Sequence, residues 1–115
     1  MGGSLTYGRG ASRLGETDWV SLTFRWLASS FPAAGGVFRN GAIAACGSEY
    51  MAFCMQTRLP EDPDIIFVEY VINNGNFTLE HQHMRSYERL LRRLLTLPSE
   101  PLVIPVMMFN YHRFL

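Results

Sequence analysis

Lysine is absent from these 115 residues; all ten basic side chains are arginine, and ten acidic residues balance them to a formal charge of zero. A neutral balance argues against a nucleic-acid footprint or a polybasic membrane patch. No apolar run approaches the roughly 20 residues of a membrane-spanning helix. The chain also opens without a signal-peptide pattern. Cysteine is scarce. Cys46 and Cys54 lie eight positions apart in one apolar stretch; on a continuous helix they would point alike but stand about 12 Å apart, too far for a disulfide. They read as two buried thiols, and no Cys/His cluster with metal-ligand spacing accompanies them. The sequon Asn76-Phe77-Thr78 reads as chance without a secretory signal.

What is present suits one globular domain over residues 1–115. Apolar residues make up 48% of the chain, enough for a real core and too many for a disordered segment. Thr17 or Asp18 looks like a helix cap ahead of Trp19, Val20, Thr23, Phe24, Trp26, Leu27 and Phe31, spaced mostly by three and four. Phe31-Pro32 and Gly35-Gly36 end that helix. Residues 37–43 could form a short strand broken by Asn40-Gly41. Ser48 and Glu49 open a second helix that stops at Leu59-Pro60. Residues 65–72 are continuously apolar apart from Glu69 and Tyr70, as expected of a parallel strand covered on both faces. A third helix is predicted over 79–97, with Met84, Tyr87, Leu90, Leu91, Leu94 and Leu95 on one face. A last strand over 102–109 contains an awkward Pro105. Helices alternating with buried strands predict an α/β parallel sheet.

Two short elements carry chemistry. Gly2-Gly3-Ser4-Leu5-Thr6-Tyr7-Gly8 brackets a serine with glycines, and Asn73-Asn74-Gly75 ends the longest apolar run. A hydroxyl on a glycine-rich turn and a carboxamide at a strand's carboxyl end are two groups an ester-cleaving site needs. Ligands of such sheets bind at that edge.

These residues resemble the SGNH hydrolases, the GDSL-type esterases and lipases. Gly2-Gly3-Ser4-Leu5-Thr6-Tyr7-Gly8 matches their nucleophile block except that Gly3 stands for aspartate. Val68-Glu69-Tyr70-Val71-Ile72-Asn73-Asn74 and Tyr87-Glu88-Arg89-Leu90-Leu91-Arg92 look like the algal and plant branch. The resemblance implies a three-layer α/β/α, flavodoxin-like fold, here truncated, and ester hydrolysis of carbohydrate or lipid esters. It implies Ser4 as nucleophile, with Gly41 and Asn73 completing the oxyanion hole; no cofactor or metal is implied, and the partner is a small-molecule or glycan ester substrate. An amide fixed at a strand end suits that task, because one oxyanion donor is worth about 3–4 kcal/mol of barrier.

Three departures predict a fragment or degenerate member without activity of its own. No Asp-x-x-His spacing occurs anywhere in the chain, the first strand is expected to be missing ahead of Ser4, and Asn74 stands where the resemblance expects aspartate. A serine without a base keeps its weak resting nucleophilicity. The competing expectation is a non-catalytic α/β binding or interaction module. Outside these blocks, Glu69 in an apolar strand should be paired, with arginine the expected partner. His81 and His83 read as surface residues. His112 follows the last strand out of catalytic context, and the stripe of Trp19, Phe24, Trp26 and Phe31 reads as core.

Overall fold

The computed structural model describes residues 1–74 and 82–108. The sequon, His81, His112, the start of the predicted third helix and the end of the predicted last strand lie outside the described residues. Among the described residues the chain is a mixed helix and strand fold with a small parallel sheet. Its helices are α1 (Ser4–Tyr7), α2 (Trp19–Ser30), α3 (Ser48–Cys54) and α4 (Gln82–Leu95), and its strands are β1 (Ile65–Val68) and β2 (Leu102–Pro105).

The strands pair in parallel from Ile65↔Leu102 to Val68↔Pro105. Leu102 N donates to the Asp64 carbonyl and Val106 N to the Val68 carbonyl, each at 2.8 Å. That alternation turns Val103 and Pro105 toward the outer edge. A proline there removes one of the free donors by which an edge strand recruits another chain, so Pro105 costs no ladder bond.

A strand ahead of Ser4 is not expected from the sequence; instead residues 1–3 run parallel to the β1 segment as a short stub. The Met1 amine donates to the Phe67 carbonyl at 2.7 Å. Glu69 N then donates to the Met1 carbonyl at 3.0 Å, and Gly3 N to the Glu69 carbonyl at 3.3 Å. Gly2 and Glu69 form a parallel bridge. On the far side of the stub Ile43 N reaches the Gly2 carbonyl at 3.1 Å. Residues 37–43 otherwise form no strand, contrary to expectation.

The core lies between the sheet and α3 with α4, where Met1, Met51, Ala52, Met55, Ile66, Val68, Tyr70, Tyr87, Leu90 and Leu94 cluster. Even-numbered residues of β1 face that core, and Phe67 faces the other way, edge-on to Trp19 of α2 at 6.2 Å. Full burial of a Leu or Met side chain is worth about 1.5–3 kcal/mol, so the α3/α4 face carries most of the stabilisation.

Four expectations are corrected. The strand over 65–72 ends at Val68, because residues 70–74 turn, with Asn73 N and Asn74 N both on the Tyr70 carbonyl at 3.0 Å. Ile65 is exposed rather than covered. The aromatic stripe of α2 is not core: none of its helical residues is buried, and Trp26 and Phe31 are 63% and 60% exposed. Phe24 stacks on Phe38 at 4.9 Å, a local pair at the margin. The thiols share no helix, since Cys46 precedes α3, and both are free and half-buried.

Candidate functional site

Ser4 begins α1 directly after the stub, so the sheet aims it. The glycine before it is needed for close approach: a Cβ on Gly3 would stand 2.5 Å from Asn73 Oδ1 and 2.7 Å from Asn73 Nδ2. The carboxamide of Asn73 therefore lies against the peptide that leads into Ser4. The helix closes after one turn at Gly8, whose φ of 109° is left-handed and suits glycine alone. Gly8 N and Arg9 N both bond the Ser4 carbonyl, at 3.1 and 2.9 Å. The Ser4 side chain is half-buried.

Thr6 turns inward from the same helical turn. Its hydroxyl donates to Glu69 Oε2 at 2.9 Å, with both residues fully buried. The expected arginine partner of Glu69 is thus replaced by a hydroxyl. Glu69 Oε1 has no partner among the described residues. Burial holds the Met1 amine down at about 6, with the nearby Glu69 charge opposing the shift.

Asn73 Nδ2 donates to the Cys46 carbonyl at 3.1 Å, which leaves its second N–H for another acceptor. Asn74 is 2% exposed, and its Oδ1 accepts from Ser48 N at 3.2 Å and lies 3.0 Å from Ser48 Oγ. Ser48 Oγ also stands 3.3 Å from the His83 carbonyl. His83 Nδ1 lies 3.1 Å from Glu49 Oε1.

Gly41 packs against the stretch that holds Arg58. It is buried, and a Cβ there would stand 2.6 Å from the Arg58 carbonyl. Its neighbour Asn40 donates through Nδ2 to the Thr6 carbonyl at 2.8 Å and accepts from Ala42 N at 3.0 Å. The structure thus brings Asn73 against Gly3, next to Ser4, and Asn40, the neighbour of Gly41, bonds the turn that Ser4 opens. The loop nearest Asn73 is 43–48, where Ala45 holds a φ of 60°, unusual for a residue with a Cβ. Sequence reasoning placed residues 40–48 at the carboxyl edge of the sheet but gave Ala45 no role, because alanine carries no sign of its backbone conformation.

Burial pushes the Cys46 thiol up, partly opposed by Arg58. Burial likewise raises Tyr70 and Tyr87, with the Glu69 charge adding to both. No group of three or more His, Cys, Asp or Glu side chains able to hold a metal ion occurs among the described residues. Nor is any helix among them long and apolar enough to cross a membrane.

No protein-family model matches the chain, and no curated protein sequence matches it. Solved structures do. The chain is similar over 90% of its length to a two-domain esterase active on acetylated mannans, with a TM-score of 0.80 and 27% identity. A second structure of that description, co-crystallised with mannopentaose, gives a TM-score of 0.82 and 28% identity over the same share. The chain spans 27% and 28% of the length of those two proteins. Its mixed α/β architecture is therefore that of an esterase fold, with carbohydrate esterases as its structural neighbours.

Proposed function

We propose that this chain is the nucleophile-bearing part of an SGNH-type serine ester hydrolase acting on acetylated glycans, inactive without further residues. Its sheet and helices are then one portion of a three-layer α/β/α domain. The observation that carries the reading is the Asn73 carboxamide packed against Gly3, one residue from Ser4. Ser4 Oγ would attack the ester carbonyl and release the sugar hydroxyl. The oxyanion would be met by the Ser4 N–H, the second Asn73 N–H and, as a further donor, Gly41 N–H. Water would then cleave the acyl-serine. Both proton transfers need a base, and among the described residues none bonds Ser4.

The test joins this chain to a carboxyl-terminal segment that carries an Asp-x-x-His block. The fusion is expected to hydrolyse p-nitrophenyl acetate. Ser4→Ala should abolish turnover, and Asn73→Ala should lower it about 10²–10³-fold, the usual effect of losing one oxyanion donor. Turnover that survives Ser4→Ala would remove the nucleophile assignment. The second reading, a glycan-binding module on the same scaffold, draws on the absence of a described base beside Ser4. Binding of mannopentaose without turnover in the fusion would favour it.

A further inference from the structure

Two adjacent carboxamides grip one loop from opposite chemical sides. Asn73 offers a donor, Nδ2, to the Cys46 carbonyl at 3.1 Å. Asn74 offers an acceptor, Oδ1, to the backbone N–H and the hydroxyl of Ser48 at 3.2 and 3.0 Å. In each case the backbone partner dictates which atom of the amide faces it. Between the two anchors the loop is tight. Cys46 N closes a turn on the Ile43 carbonyl at 3.3 Å, and Ala45 sits at a φ of 60°. A residue with a Cβ keeps that conformation only where its surroundings impose it. A third anchor, Ile43 N on the Gly2 carbonyl, ties the loop to the residue two before Ser4.

We propose that Asn74, acting with Ser48, is a positioning residue for the Asn73 amide. Its Oδ1 fixes the carboxyl-terminal end of the loop, which sets the Cys46 carbonyl. That carbonyl holds one Asn73 N–H and thereby directs the other toward the Gly3–Ser4 peptide. Asn74 and Ser48 are 2% and 0% exposed, so water does not compete for these bonds. A carboxylate at position 74 would accept the same two donors, so the carboxamide keeps the clasp. The inference rests on the reading of Asn73 as an oxyanion donor, but its test does not depend on hydrolysis.

The experiment follows the side-chain amide resonances of Asn73 in the ¹⁵N-labelled chain at neutral pH. In Asn74→Ala the hydrogen-bonded Asn73 proton should move upfield, toward the position of a solvent-exposed amide. Ser48→Ala, which removes one of the two bonds, should move it the same way by a smaller amount. Asn74→Asp, which keeps the acceptor, should leave it near the wild-type position. Leu94→Ala weakens the core elsewhere and should not move it, which separates positioning from general destabilisation. Unmoved Asn73 resonances in both Asn74→Ala and Ser48→Ala would overturn the proposal, as would an equal shift in Leu94→Ala. If Asn74→Ala fails to fold, Ser48→Ala against Leu94→Ala decides the matter alone. An Asn73 shift with no esterase activity in the fusion would leave the clasp standing and reject only the enzymatic reading.

Discussion

Glu69 is fully buried, with one oxygen on the Thr6 hydroxyl and the other without a described partner. Thr6→Val keeps the shape and removes the donor. It is expected to destabilise the chain by about 2–3 kcal/mol, because an abandoned buried acceptor costs its desolvation in full. Urea denaturation would measure this, and an unchanged midpoint would mean that water already reaches the carboxylate. A charge inside an apolar run announced that a partner was needed. It did not announce Thr6, which lies 63 residues away and belongs to the serine turn. That Asn73 and the glycine-flanked serine should lie near each other was legible in the sequence, and Asn73 does lie against Gly3. The role of Asn74 was not, because its partner Ser48 reads along the sequence only as a helix start.

At the level of elements, Asp18 was legible as a cap, and its side chain accepts from Ser21 N at 2.8 Å at the start of α2. The fate of the helix behind it was not. Spacing by three and four reports that a helix has an apolar face, never that something covers it. β1 erred differently. Val71 is buried yet lies in the turn after the strand, so an apolar run outlasted the strand it was taken to mark. These contrasts set an expectation. Leu94→Ala, at a fully buried site of α4, should cost about 2–5 kcal/mol. Trp26→Ser, on the open face of α2, should stay within about 0.5 kcal/mol. Comparable losses at the two positions, read by urea denaturation, would mean that α2 is covered in solution.

For the molecule as a whole, the radius of gyration is 14.4 Å, against about 13 Å for a compact domain of this length. The excess fits an α2 that stands at the margin and fully buries none of its residues. The pH profile is a global property with a local origin. The Met1 amine falls from 8.0 to about 6 on folding, so between those values the unfolded chain binds more protons. Stability is therefore expected to rise as pH increases from 6 to 8 and to level off above that. The full change is about 2.7 kcal/mol at about 1.36 kcal/mol per unit. Denaturation at pH 6 and pH 8 checks the sign, and equal midpoints would show an amine that stays hydrated.

The same amine governs how the polypeptide should be handled. Because its nitrogen already donates to the Phe67 carbonyl inside the sheet, any affinity handle fused ahead of Met1 must either run on beside Ile65 as added strand or pull the Ser4 turn out of register.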